Sequence, residues 1–358
     1  MPPPAFFHEL SRRSLLLAAL AAVPASWALP ARTLQFPRDY GSHPDLQTEW
    51  WYITGHAKTP AGRGFGFQVT FFRSRVDAAQ GLRSAFAARH LVFAHAAVTD
   101  LEGRVLLHDQ RIARAGFGVA SASEADTDLR LRDWSLVRRE DGSYSARIPA
   151  GEFSLELRFT PTQPVLLQGK AGLSRKGPEE AQASYYYSEP QLKTQGRLAL
   201  KGQAFDVDGT AWLDHEWSEA LMHPEAVGWD WIGMNLDDGS ALTAFRLRRR
   251  DGSALWAGGS FRTRDGALRI FGSDEVRFEG EAAWTSPRTL AKYPTRWRVQ
   301  TPSGSFEVRA LLDDQELDSR GSTGGVYWEG VSDLVDAQGR RVGRGYLEMT
   351  GYAAPLRL

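Results

Sequence analysis

Residues 209–239, GTAWLDHEWSEALMHPEAVGWDWIGMNLDDG, hold most of the side chains in this chain that could do chemistry. Four tryptophans (Trp212, Trp217, Trp229, Trp231) are interspersed with two histidines (His215, His223) and with Asp214, Glu216, Glu219, Glu225 and Asp230. Indole rings flanking an Asp-His-Glu run build an apolar wall with ionisable groups set into it. In such a wall desolvation keeps a carboxylic acid protonated, and an aromatic face stabilises a cation. Taken singly, a Trp or His in a β protein is a core residue whose N–H has found a partner. Packing explains the carboxylates less well, because burying one is costly unless something pairs with it.

The elements that must position these groups read as strands. Along 211–217, period-two alternation puts Leu213, His215 and Trp217 on one face and Trp212, Asp214 and Glu216 on the other. The same grammar runs through the chain. Glu49–His56 is aromatic and β-branched, Phe65–Phe71 alternates cleanly, and Phe153–Phe159 alternates against Glu152, Ser154, Glu156 and Arg158. His90–Asp100 is apolar on both faces, which makes it an interior or cavity-lining strand and His95 a candidate ligand contact. Leu129–Val137 and Tyr144–Ile148 are expected to form a hairpin, whereas residues 79–90 predict a loop or short helix. Asp-Gly recurs at 141–142, 208–209, 238–239, 251–252 and 265–266, and each pair is expected to turn a hairpin.

Many short strands and almost no helical periodicity mean an all-β sandwich or up-and-down barrels. Trp51–Gly55 followed by Phe65–Arg73 is echoed by Trp229–Gly233 followed by Leu242–Arg248, a repeat that predicts two similar β domains with a boundary near residue 219.

Composition narrows the function. With 43 basic and 43 acidic residues in 358, the formal charge is zero, so no basic footprint for nucleic acid exists. Cysteine is absent, which rules out disulfides, thiolate nucleophiles and Cys-ligated zinc. Ser11-Arg12-Arg13-Ser14 followed by a short apolar run predicts a twin-arginine signal peptide over residues 1–28, hence export to the periplasm or beyond. No other segment approaches membrane-spanning length, so an integral membrane protein is not expected. The G-x-S-x-G elbow, H-E-x-x-H, P-loop and dinucleotide fingerprints are all missing. The spacing of His56, His95 and His215 does not ask for a metal, and no cofactor is expected.

Four motifs, Glu49-Trp50-Trp51-Tyr52, Ser184–Ser188 (SYYYS), Ala211–Ser218 (AWLDHEWS) and Gly228-Trp229-Asp230-Trp231, together with Tyr327-Trp328-Glu329-Gly330 and Gly345–Tyr352, resemble the carotenoid 1,2-hydratase/AttH-like family of lipocalin-like proteins over nearly the whole mature chain. The resemblance implies an all-β fold of two tandem lipocalin-like antiparallel β-barrels, residues 36–218 and 219–358. It also implies an apolar ligand cavity with the Trp/His/Asp set at its mouth.

In hydratase members a carboxylic acid protonates an isolated alkene and water traps the cation. Transferred here, Asp214 or Asp230 is the acid, His215 orients or reprotonates it, and Trp217 and Trp229 supply aromatic faces. Trp231, Trp51, Tyr186 and His95 complete the expected ligand contacts. By alternation His215 and Trp217 are the candidate pair for the cavity, with Asp214 turned away into structural hydrogen bonds. The expected ligand is a hydrophobic small molecule or lipid, acted on by hydration or hydrolysis. The alternative implied by the resemblance is a non-catalytic carrier working beside an ABC transporter permease.

Overall fold

The computed structural model describes residues 28–220 and 222–356. Except for Ala28, the expected signal peptide lies outside them. Two large antiparallel sheets carry nearly all of the regular structure. The strands of the first fall between Thr48 and Ser218, those of the second between Gly228 and Met349.

In the first sheet the Thr48–Lys58 strand pairs with Gly64–Arg75 on one side and with the last strand, Gln203–Ser218, on the other. The outer strands curl until Val105–Arg114 touches Asp128–Leu131, which rolls the sheet into a barrel. The second sheet repeats the plan more openly: Gly228–Leu236 pairs with Ala241–Arg248 and with its own last strand, Arg341–Met349. The Trp-rich echo in the sequence is therefore the opening hairpin of each sheet, closed in both cases by that sheet's final strand.

Each barrel is filled. Trp51, Phe65, Phe67, Val69, Trp134, Tyr144 and Trp217 are fully buried in the first, and Ile232, Met234, Trp297, Trp328 and Leu347 in the second. A third apolar cluster, with Tyr52, Trp212, Trp231, Phe245, Val331 and Tyr346, lies between the barrels, where outward faces of both sheets meet. Gly66 sets the closest approach, since a Cβ there would stand 2.8 Å from both Tyr346 and Val331. Away from that point larger side chains hold the sheets apart.

Two local expectations are corrected. Asp208-Gly209 is not a turn: it lies inside the long Gln203–Ser218 strand, where Gly209 permits the His56–Ala57 backbone to run so close that a Cβ would collide with it. Leu129–Val137 is not one strand but two, Asp128–Leu131 and Trp134–Arg138, folded back at Arg132, whose φ is 57°. Within residues 79–90 only the tail of a four-residue helix, Asp77–Gln80, is regular.

Candidate functional site between the barrels

A cavity of about 450 Å³ opens in the seam between the two sheets, within the size range of small-molecule sites. Its two walls are rows of cross-strand neighbours. On the first barrel, Tyr186, Glu216, Trp50, Phe72, Phe93 and Ile112 lie side by side across six strands. A second row runs behind them through Asp214, Tyr52 and His95. On the second barrel, Phe245, Trp231, Glu348 and Glu329 form the facing row.

The carboxyls of this seam differ in how they are held. Asp214 receives Ser188 Oγ at 2.5 Å, Trp212 Nε1 at 2.7 Å and Tyr186 Oη at 2.8 Å. Burial pushes its pKa up, the three donors pull it back, and the balance sits at about 7. Glu216 is paired with Lys176 Nζ at 2.9 Å, and that ammonium also lies 4.2 Å from the Phe245 ring centre. Glu348 is raised to about 7, by burial first and with the negative charges of Asp214 and Glu216 adding to it.

Glu329 has no such support. It is 2% exposed, and neither carboxylate oxygen has a hydrogen-bond partner. The Tyr52 hydroxyl and Gln68 Oε1 on the facing wall are unpartnered as well. Burial, reinforced by Glu348 directly across the strand pair and only partly offset by the nearby Tyr52 and Gln68 side chains, holds the Glu329 carboxyl well above the ordinary range, which favours its protonated form.

His95 is a strut. Its Nδ1 accepts from Tyr327 Oη at 2.9 Å and its Nε2 donates to Ser322 Oγ at 2.8 Å, which ties the two barrels together across the seam. Burial lowers its pKa to about 3, so the ring is neutral.

Of the residues singled out in the sequence, Asp214, Tyr186, Trp229, Trp231 and His95 line this cavity. Four do not. His215, Trp217 and Trp51 point into the first barrel and are fully buried there. His215 Nε2 donates to Glu49 Oε1 at 2.9 Å, its Nδ1 accepts from Tyr187 Oη at 3.1 Å, and its ring stacks on Trp51 at 4.4 Å. Burial lowers its pKa to about 4. Trp217 stacks on His43 at 3.9 Å. The expectation that His215 and Trp217 share the cavity is thus corrected: the alternation is as read, but the open space lies on the other side of the strand, where Asp214 faces. Asp230 points into the second barrel, where Arg246 Nε at 2.7 Å, Arg248 Nε at 3.1 Å and Tyr352 Oη at 2.8 Å surround it.

His43, Glu49 and His215 come within 4.8 Å of one another, close enough for a cation. Their ligand atoms are already committed, however. His43 meets Glu49 Oε1 at 2.7 Å and Asp39 Oδ1 at 2.9 Å, and Arg73 occupies Glu49 Oε2 at 2.9 Å. The cluster is a hydrogen-bonded plug beneath the segment 39–49.

Sequence reading missed Glu329, Glu348, Trp50, Tyr52 and Lys176. A signal existed for the first two, because each is an acid flanked on its strand face by uncharged residues, Tyr327 and Val331 for Glu329 and Tyr346 and Thr350 for Glu348.

The family model described as AttH-like matches residues 27–352. This chain belongs to the AttH-like family. A crystal structure of an AttH-type protein from Nitrosomonas europaea is similar to it at 48% identity and a TM-score of 0.85, covering 91% of this chain and 99% of its own. Kievitone hydratase from Nectria haematococca shares the fold at 14% identity, with a TM-score of 0.68 over 91% of this chain and 98% of its own. CghA in complex with Sch210972 does so at 14% identity, with a TM-score of 0.51 over 85% and 88%. No curated protein sequence matches the chain. The AttH-like fold is lipocalin-like, and this member carries its ligand-sized space between the barrels. Among the described residues no helix is long and apolar enough to cross a membrane.

Proposed function

We propose that this AttH-like protein binds a hydrophobic small molecule in the seam between its barrels and hydrates an electron-rich alkene in it, with Glu329 as the proton donor. The observation that carries the reading is the Glu329 carboxyl: buried, without a partner on either oxygen, and facing a ligand-sized space. A carboxyl that burial holds toward its protonated form is what general-acid protonation of an alkene requires.

Glu329 gives its proton to one alkene carbon and the π pair forms the new C–H bond. The cation left on the neighbouring carbon lies among the rings of Trp50, Trp229, Trp231 and Phe245 and close to the Glu348 carboxyl. Water from the open mouth adds to that carbon, and its surplus proton returns to the Glu329 carboxylate, so the net change is addition of H₂O. Asp214, held by three donors, is suited to anchoring Tyr186 and Trp212 in the wall and less suited to releasing a proton. Kievitone hydratase supports this reaction class through the shared fold alone.

The test starts from the compound that co-purifies with the protein from its own host, identified by mass spectrometry. Stripped protein is returned to the unhydrated form of that compound in H₂¹⁸O. The expected result is ¹⁸O in the product, lost in Glu329→Gln, while Trp fluorescence still reports binding. Unaltered ligand with wild-type protein, or full turnover by Glu329→Gln, overturns the reading, and the first of these makes the protein a carrier.

A further inference from the structure

The described residues include nine exposed large hydrophobic side chains, and five of them sit together: Leu82, Phe86, Ile112, Phe117 and Val119. Phe86 is 74% exposed and Phe117 60%, on two loops that meet through these rings and through Arg114, whose Nη1 donates to the Ala85 carbonyl at 3.5 Å. Their rings stack at 5.5 Å, and Arg114 lies 4.0 Å above Phe117. Nothing in the barrel core needs these rings, and two outward phenylalanines stacked under a guanidinium form a surface, not a packing defect.

The surroundings carry one sign of charge. Residues 78–99 and 110–122 contain no Asp or Glu. They contribute Arg83, Arg89 and Arg114, none of which has an ion-pair partner among the described residues, and Arg111, which is paired with Asp109. Exposed aromatic residues ringed by unpaired arginines match the interface of an anionic lipid surface, where rings enter the headgroup region and guanidinium groups meet phosphate.

The position of the patch gives it a use. The loops leave the barrel at the end of Gly64–Arg75, the start of His90–Asp100 and the end of Val105–Arg114. Ser74, Leu91 and Ile112, at those same strand ends, line the cavity, and Ile112 belongs both to the cavity wall and to the exposed patch. An apolar ligand leaving a bilayer at Phe86 and Phe117 would reach the seam along Ile112 and Leu91 without crossing bulk water.

From this we infer that the loops carrying Phe86 and Phe117 dock the protein on an anionic lipid surface and bring the cavity mouth to it. Docking stands apart from the chemistry proposed above, and only the delivery of ligand rests on that reading. The experiment is co-sedimentation of the full chain with vesicles of phosphatidylglycerol and phosphatidylcholine (1:1) and of phosphatidylcholine alone. Binding is expected to the anionic vesicles, at least tenfold weaker to the zwitterionic ones. It should fall about tenfold or more in F86S/F117S and severalfold in R83Q/R89Q, with unchanged thermal unfolding in both variants. Absence of binding to anionic vesicles, or binding indifferent to both pairs of substitutions, overturns the inference; the second outcome assigns attachment to another part of the chain. Because no turnover is measured, failure here leaves the hydration reading standing, and failure of Glu329→Gln leaves this one standing.

Discussion

Two regions of the molecule share one strand and treat buried acids in opposite ways. Inside the first barrel Glu49, fully buried, collects the Ser42 hydroxyl, the His43 backbone N–H and ring, Arg73 and His215. Burial pushes its pKa up, yet the bonds from His215 and His43 outweigh that and hold it well below the ordinary carboxylate range. In the seam Glu329 is buried to nearly the same degree, has only the Tyr52 and Gln68 side chains beside it to lower its pKa, and is held well above that range. Burial alone therefore does not decide protonation; donors joined by positive charge outweigh it at Glu49, whereas the three uncharged donors of Asp214 do not. A saturated acid locks a core, whereas an unsaturated one retains a proton it can give away.

The comparison breaks most readily at Glu49. Glu49→Gln leaves the buried Arg73 guanidinium without its counter-charge, and the expected loss is about 3–5 kcal/mol in urea unfolding at pH 7. Glu329→Gln removes an acid that the fold keeps neutral but the unfolded chain ionises, so it is expected to raise Tm at pH 7 and to change little at pH 4. Equal destabilisation by the two substitutions would show that both carboxyls are structural and would remove the contrast.

The pH dependence of stability sharpens the same contrast. Glu348 and Asp214 keep their protons in the fold up to about pH 7 but lose them near pH 4 when unfolded. Over that window the native state binds more protons, so the unfolding free energy falls as pH rises, by at most about 3–4 kcal/mol per group. Glu49 acts in the other direction: its contribution is complete above its unfolded pKa and is lost as pH falls below about 4.5. Urea titrations at half-unit steps from pH 4 to 8 should show stability declining toward pH 7, with a shallower slope in Glu348→Gln. A slope unchanged by that substitution would place the titration elsewhere.

How far the site was legible in sequence follows from one property of a strand. Alternation sorted residues 211–217 into their two faces, because side-chain direction has period two whatever lies beyond. Which face meets open space is a tertiary fact. His215 and Trp217 carry the richer chemistry on paper, yet their face closes on Glu49 and Trp51, and the plainer face with Asp214 and Glu216 meets the second barrel. Glu329 and Glu348 escaped notice because their strands lie roughly 100 residues beyond the Trp cluster and are joined to it only through sheet pairing and the packing of one sheet on the other. The tandem-sheet architecture was readable because hairpin turns and closing strands are local; Asp208-Gly209 misled because a glycine needed for close backbone approach has the same spelling as a turn.

His215→Phe separates the two regions at intermediate cost. The ring fits the stack on Trp51, but Tyr187 and Glu49 each lose a hydrogen bond, so a loss of about 1–3 kcal/mol in stability is expected. Ligand affinity should stay within about twofold, since His215 does not reach the cavity. A loss of affinity at unchanged stability would move the working site into the barrel.

The smallest effect is expected at Trp231, which touches the cavity and also reaches toward Tyr186 Oη with Nε1 at 3.3 Å. Trp231→Phe keeps an aromatic face but removes that donor and part of the wall, so Tyr186 is left with Asp214 as its sole partner. Affinity for the co-purifying compound should weaken about five- to tenfold, worth roughly 1 kcal/mol, as the wall loses contact area beneath the ligand. Stability should move less than affinity, because the indole lies at the edge of a space that is already open. If stability falls by more than affinity, Trp231 is holding the barrels together, and the seam at that point is an interface before it is a binding site.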